Sequence, residues 1–275
     1  MREDFYEEYF RIEDRHWWFV GRRRIFLALL DRYLGRDTSP DRRLLDIGCG
    51  TGTMLRHLAR YGRVDGIDAD PAAVRFCEER GISTVQQAET PPIPHPDGLF
   101  DLVTAFDVLE HVDSDSDLLA EIRRVLVPGG VFVASVPAFR FLWGNQDEIS
   151  HHRRRYTAAM LRGRFAAAGL ELERISYFNM LLFPPIAAIR LYRRVFMAQE
   201  EAPHSDFEMT SEGRVNDALA RLLGAEARML VNHDLPFGVS ILGIARAPAA
   251  HDSSSMATAG VGTMSRDVRL TRAGS

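Results

Sequence analysis

The sequence predicts an α/β chain: a doubly wound, mainly parallel seven-stranded sheet, with a helical N-terminal extension and a helical lid inserted before the last strand. Three observations carry this expectation. Strand-like and helix-like segments alternate from about residue 43 onward, which calls for a mainly parallel sheet covered on both faces. Leu44-Leu45-Asp46-Ile47-Gly48-Cys49-Gly50-Thr51-Gly52 reads as a buried strand running into a glycine-rich turn and then a helix. The chain has 275 residues, 46% of them apolar and 26% charged, enough to bury one large core with an elaborated lid.

Residues 1–36 read as helical and aromatic, with Phe5, Tyr6, Tyr9, Phe10 and His16-Trp17-Trp18-Phe19 ahead of Arg22-Arg23-Arg24 and the apolar stretch Ile25 to Leu34. Asp37-Thr38-Ser39-Pro40 breaks the segment. A core domain over 37–177 follows, with strands expected near 43–47, 64–68, 83–86, 100–105, 131–136 and 171–177, and helices near 53–61, 71–80, 117–126 and 157–168. Pro71 after Asp70 suits a first helical position. Residues 178–237 interrupt the alternation and carry helical stretches near 186–198 and 211–231, read as the lid. The last core strand is expected within 238–247, and 248–275 reads as a disordered tail of Ala, Ser, Gly and Thr.

The glycine turn carries the chemistry. Its spacing is Gly-x-Gly-x-Gly, not the Gly-x-Gly-x-x-Gly of dinucleotide sites. Asp46 sits in the turn, where it would repel a pyrophosphate and attract a cationic amino-acid end. The second strand, Val64-Asp65-Gly66-Ile67, ends in Asp68, and a carboxylate there can accept both hydroxyls of a ribose. An acid for an ammonium, a floor of Gly48 and Gly50, and an acid for a ribose describe S-adenosylmethionine (SAM).

With these residues, the chain resembles the SAM-dependent methyltransferases of the Rossmann-like class I, in the broad type 11 group. The resemblance covers about residues 40–175 and includes Gly66-Ile67-Asp68, Phe100-Asp101-Leu102-Val103, Leu109-Glu110-His111-Val112 and Arg124-Val125-Leu126-Val127-Pro128-Gly129-Gly130. It implies that the last strand is antiparallel and forms a hairpin with the sixth. It places Ala69 beside the adenine and an acid after the third strand at the adenine amine. Here Gln87 holds that acid's position, with Glu89 as an alternative and Ala88 offering its backbone N–H. Phe106, at the end of the fourth strand, belongs to the cofactor wall. In related enzymes an arginine ahead of the first strand forks the SAM carboxylate; Arg23 is chosen from Arg22, Arg23 and Arg24.

If Phe106 to His111 is helical, Asp107, Glu110 and His111 fall on neighbouring faces. A similar acid, acid and histidine set binds a divalent metal in the quinone-biosynthesis O-methyltransferases, which this stretch resembles. The alternatives are His111 as a general base, or Glu110 and His111 bracing the turn. The loop after the fifth strand carries Trp143, Asp147, His152, Arg155 and Tyr156, similar to a run in a subgroup of the family. His111, His152 and Tyr156 are the catalytic candidates. Tyr156 could equally be core, and Arg155 a structural ion pair. Trp18, Trp143 and Phe178 are the acceptor-side candidates, with Phe139, Phe141 and Tyr177 also suggesting an apolar acceptor. Of the adjacent Trp17 and Trp18, one is expected to pack on the domain and the other to cover the site or meet a partner subunit.

The expectation is a cytoplasmic SAM-dependent methyltransferase; the aromatic residues suggest as its acceptor a large apolar small molecule, such as a quinone precursor, an isoprenoid or lipid-linked compound or a terpenoid, attacked at oxygen or carbon. A metal-assisted O-methyltransferase and a non-catalytic partner-binding protein are the rivals. The net charge of −4 argues against nucleic acid. All 34 basic residues are arginine, read as coding bias. Met1-Arg2-Glu3-Asp4 lacks the apolar core of a signal peptide. Cys49 and Cys77 make neither a disulfide framework nor a zinc spacing. Apolar residues from Phe178 to Ile189 followed by Arg190, Arg193 and Arg194 suit an acceptor pocket, an oligomer contact, which the N-terminal helix could also supply, or peripheral contact with a membrane.

Overall fold

A computed structural model describes residues 3–35, 39–196 and 213–249. The breaker at 37–38, the lid residues 197–212 and the tail from residue 250 lie outside them. The helices are α1 (Glu3–Ile12), α2 (Trp17–Leu34), α3 (Thr53–Leu58), α4 (Pro71–Glu79), α5 (Asp115–Val125), α6 (Asn145–Ile149), α7 (Ala158–Ala167), α8 (Phe183–Phe196) and α9 (Gly213–Leu230). The strands are β1 (Arg43–Ile47), β2 (Arg63–Asp68), β3 (Val85–Gln87), β4 (Phe100–Phe106), β5 (Leu126–Pro137), β6 (Glu171–Phe178) and β7 (Ser240–Arg246).

The seven strands form one sheet in the order β3-β2-β1-β4-β5-β7-β6. All pairs are parallel up to β5, and β7 runs antiparallel to both β5 and β6. This is the doubly wound sheet expected, with the reversed last strand that the resemblance implied. Its central strands are apolar on both faces, as a sheet covered twice requires. On one face Leu45, Ile47, Val103, Phe132 and Ala134 pack on Leu118, Leu119 and Ile122 of α5 and on Leu161 and Phe165 of α7. On the other face Leu44, Leu102, Val131 and Val133 pack on Ile25, Phe26, Leu29 and Leu30 of α2 and on Leu223 and Leu230 of α9. Alternate residues therefore serve alternate layers.

The segment 178–237 is not one lid. Its second helix, α9, packs along α2 and completes the helical layer, with Leu223 and Leu230 fully buried. Asn216 of α9 accepts a 2.7 Å hydrogen bond from the Trp17 backbone and donates to the Arg15 carbonyl, which joins the chain's first helices to the segment before β7. Only α8 is placed as a cover. Helix caps follow the sequence: Asp70 accepts from Ala72 N with Pro71 at the first position, Ser114 caps α5 and Thr157 caps α7. No helix among the described residues is long and apolar enough to cross a membrane.

Candidate functional site

The carboxyl ends of β1, β2 and β4 open into a cavity of about 960 Å³, roofed by α1, the start of α2 and α8. This is the crevice where parallel α/β sheets bind ligands. Its floor is the glycine turn. Gly48 and Gly50 have φ of +65° and +56°, backbone that favours glycine. A Cβ on Gly48 would meet Val108 Cγ2 at 2.6 Å, whereas nothing lies within 4 Å of one on Gly50, which faces open space.

Asp46 and Asp68 flank this floor. Asp46 is 2% exposed and accepts a 2.6 Å hydrogen bond from Thr104 Oγ1. Burial pushes its carboxyl up to about 7, against the opposing pull of that hydrogen bond. Asp68 accepts from Gly50 N at 2.9 Å, Asp70 N at 3.0 Å and the Tyr6 hydroxyl at 3.3 Å. Burial raises the Asp68 carboxyl also, opposed by these donors. Tyr6 lies on α1, which is held over the site by Phe10 stacked on Phe76 and by Arg80, whose guanidinium pairs with Glu13 and Asp14.

Ala69, Ala88, Glu89 and Phe106 line the cavity as expected, and Phe106 stacks on Phe26 with ring centroids 4.3 Å apart. Three cofactor-side expectations change. Gln87 is exposed and donates to the Ala69 carbonyl, away from the cavity. The Ala88 backbone N–H is engaged by the Asp68 carbonyl at 2.9 Å, so Glu89 and Thr90 supply the polar side chains of that stretch to the cavity. Arg23 donates to the Glu13 carbonyl at 3.2 Å and does not line the cavity, whereas its neighbour Arg22 does. Arg22 pairs with Asp107 and lies 5.2 Å from the Phe19 ring centroid.

The acceptor side changes more. Trp18 lines the cavity, and so does Trp17; their rings meet edge to face at 5.9 Å. The division of labour expected between them is not found. Phe178 is 1% exposed and packs behind Trp18 and Phe26, as core. Trp143 lies off the cavity and donates from Nε1 to Glu148 at 2.9 Å. Phe139 stacks between Phe141 and Tyr177 and meets Phe183, a cluster beside the cavity rather than in its lining. The second wall comes instead from Ile186, Ile189, Arg190 and Arg193 of α8. Tyr156 is not catalytic in position: it is 1% exposed, with its hydroxyl between the Asp115 carboxylate (2.9 Å) and the Leu109 carbonyl (3.1 Å).

His111 and His152 do come together, their ring centroids 4.7 Å apart at 84°. Phe106 to His111 is not helical. Asp107 turns sharply at φ +57° and pairs with Arg22 and Ser135, so it leaves the set proposed with Glu110 and His111. Arg155 is the structural pair foreseen, with Nε 2.7 Å from Asp147. Asp147 also accepts from His152 Nδ1 at 2.9 Å. Burial alone would raise the Asp147 carboxyl, but the hydrogen bonds from His152 and Arg155 hold it at about 2. Burial and the neighbouring His152 lower His111 to about 4, so its imidazole is neutral across the physiological range.

Sequence reasoning missed Tyr6, Tyr9, Arg22 and Asn179 as cavity residues. For Arg22 a signal was present. Phe19, Arg22, Phe26 and Leu30 share one helical stripe, and Phe19, Phe26 and Leu30 are buried.

Residues 45–134 match a family described as a methyltransferase domain. The chain is 32% identical over 168 residues to a Mycolicibacterium smegmatis protein named "Probable S-adenosylmethionine-dependent methyltransferase", covering 59% of this chain and 62% of that one. It is 37% identical over 113 residues to the ubiquinone biosynthesis O-methyltransferase of Paramagnetospirillum magneticum, covering 38% of this chain and 45% of that one. The matched stretches thus span less than two thirds of either relative. Among solved structures, a SAM-dependent methyltransferase from Archaeoglobus fulgidus superimposes with a TM-score of 0.52 at 20% identity, covering 82% of this chain and 94% of that one, a likeness of fold. Residues 45–134, which match the methyltransferase domain, hold the glycine turn, Asp46, Asp68 and the Glu110-His111 turn, and the chain has relatives named as SAM-dependent methyltransferases.

Proposed function

We propose that this chain transfers a methyl group from SAM to a large, mainly apolar small molecule. The observation that carries the reading is the pairing of Asp46 and Asp68 across a glycine floor that a side chain would obstruct. The residues fit the cofactor: an acid at each end, an open Gly50 between them, and Arg22 at the side of the carboxylate.

When bound, SAM supplies an electrophilic methyl on a sulfonium. Asp46 receives the ammonium, Arg22 forks the carboxylate, Asp68 takes the ribose and Glu89 faces the adenine amine. Trp17, Trp18, Ile186 and Ile189 form the apolar walls against which an acceptor would lie. Methyl transfer is an in-line displacement, so the chain's main contributions are to align the nucleophile and exclude water. The polar end of the acceptor space carries Glu110, His111 and His152, which supports attack by a hydroxyl. Asp147 holds the His152 Nδ1 proton, leaving Nε2 as the acceptor for the departing hydroxyl proton.

Calorimetric titration with SAM and S-adenosylhomocysteine, with NADH as control, tests the cofactor. Extracts incubated with isotope-labelled SAM, followed by mass spectrometry, identify the acceptor. Folded protein that binds neither adenosyl compound refutes the reading. Label on carbon alone refutes the hydroxyl assignment and keeps the rest.

A further inference from the structure

Asn179 follows β6 directly, at the carboxyl edge of the sheet, with its backbone in the left-handed region at φ +60°. The buried carboxylate of Glu226 on α9 pins the turn there, accepting from Asn179 N at 2.6 Å and from Leu181 N at 2.9 Å. Asparagine usually takes this conformation because its side chain hydrogen-bonds locally. Here it does not. Asn179 is fully buried and neither Oδ1 nor Nδ2 has a hydrogen-bond partner; among the described residues it is the only side-chain amide in this state. Glycine would adopt the same backbone with less strain and leave no polar atom unpaired. The turn therefore accounts for a left-handed residue but not for a carboxamide, which is costly to bury without partners.

Asn179 borders the cavity. Pro137, Ser240 and Phe178 are in register across β5, β7 and β6, so Pro137, Ser240 and Asn179 continue one wall of it. Trp18, which stacks on Phe178, and Ile186, on the helix into which the same turn leads, add apolar surface. An isolated polar group among apolar walls fixes how a ligand lies. The Glu110-His111 turn follows β4, on the other side of the acceptor space. With β5 and β7 between them, the carboxyl ends of β4 and β6 lie three strand spacings apart, about 14 Å.

We propose that Asn179 is a specificity-determining residue that hydrogen-bonds a hydroxyl of the acceptor remote from the atom that receives the methyl group. The proposal rests on the methyl-transfer reading and narrows it. The acceptor is an elongated, mainly apolar molecule with a nucleophilic hydroxyl at one end and a second hydroxyl about 14 Å away. A carboxamide presents an acceptor and a donor group, and a hydroxyl can serve either. A carboxylate on the acceptor would engage Nδ2 alone. It would also bring a second negative charge toward Glu226, which is buried and already takes the turn's N–H groups. An acceptor without the remote hydroxyl leaves the carboxamide unpaired and is rejected for that reason.

The test compares two probes, para-hexylphenol and its ω-hydroxyhexyl counterpart. Each is titrated calorimetrically into the full-length chain after saturation with S-adenosylhomocysteine, whose own titration is recorded first. The ω-hydroxyl probe should bind at least tenfold tighter than para-hexylphenol. Asn179→Gly, which keeps the left-handed backbone, should reduce that preference to within about twofold while S-adenosylhomocysteine affinity and the melting temperature hold. Should Asn179→Gly not fold, the Asn179 side-chain amide resonances of isotope-labelled wild type carry the test, shifting with the ω-hydroxyl probe and not with para-hexylphenol. Equal affinity for the two probes, or binding of neither at millimolar concentration, in a chain that binds S-adenosylhomocysteine, overturns the role of Asn179 and leaves the methyl-transfer reading. A preference that survives in Asn179→Gly does the same. A preference lost in the variant, in a chain that binds no adenosyl compound, sustains the hydroxyl site and overturns methyl transfer.

Discussion

The sharpest consequence of the site concerns Asp68. A carboxylate offers about four acceptor positions. Three are used, by Gly50 N, Asp70 N and the Tyr6 hydroxyl. The two backbone donors hold the glycine turn and the start of α4, and cannot leave without moving the chain. A ribose presenting two hydroxyls therefore has one vacant position and must displace Tyr6 to gain the second. Asp68→Asn removes the charge from both ribose bonds. At about 1.5 kcal/mol each, the loss is about 3 kcal/mol, on the order of a hundredfold in Kd. Tyr6→Phe acts in the opposite direction: with no hydroxyl to displace, SAM binds up to about tenfold tighter while the ring still covers the site. Calorimetry on wild type and both variants, with melting curves beside it, measures this. A side-chain amide at this position accepts through one oxygen instead of two, so one turn N–H loses its acceptor and Asp68→Asn should also melt earlier. Tyr6→Phe weakening SAM as much as Asp68→Asn would show that α1, and not the carboxylate, grips the ribose. Asp68→Asn within threefold of wild type would remove Asp68 from the site.

Three further outcomes follow from the geometry. Burial holds Asp46 at about 7, so its ionised form is disfavoured in the ligand-free fold, and this group's contribution to stability declines as pH rises from 3.8 to about 7. A cationic ligand needs that ionised form: SAM affinity should fall by up to about tenfold per unit below pH 7 with uptake linked to release of one proton, and Asp46→Asn should flatten the profile measured calorimetrically in two buffers. Arg22→Ala should weaken SAM at least tenfold, whereas Arg23→Ala, outside the cavity, should stay within about twofold in the same titration. Tyr156→Phe should cost about 1–3 kcal/mol of stability, seen as a lower melting temperature, with SAM affinity unchanged, because its hydroxyl serves Asp115 and Leu109.

What the sequence made legible depended on how local the cause was. The strands β1, β4 and β5 are apolar on both faces because helices cover both, and that pattern is written in consecutive residues. The glycine turn was legible for the same reason: its φ values and its approach to Val108 are demands on single positions. The role of 178–237 was not local. An amphipathic helix declares that one face is buried but not against what, so α9 read as lid when its partner was α2, 196 residues earlier.

The same distinction separates the candidate residues that border the cavity from those that do not. Arg22 and Arg23 are adjacent, and helix rotation decides which faces inward; Phe19 and Phe26 set that rotation, so the choice lay in a pattern three and four residues to either side. Trp143 and Tyr156 were assigned from a loop whose path is set by Arg155 binding Asp147, a contact that turns Tyr156 under the turn after β4 and leaves Trp143 outside. That ion pair also fixes His152, through the same carboxylate, against a histidine that lies 41 residues earlier in the chain. Arg155 is thus a positioning residue for the polar end of the cavity. Replacing it with Lys, which cannot fork both Asp147 oxygens, should loosen His152 without touching Asp46 or Asp68. The expected reading is a lower kcat with SAM affinity intact, and SAM affinity falling in step with kcat would mean that the two ends of the cavity are not separately built.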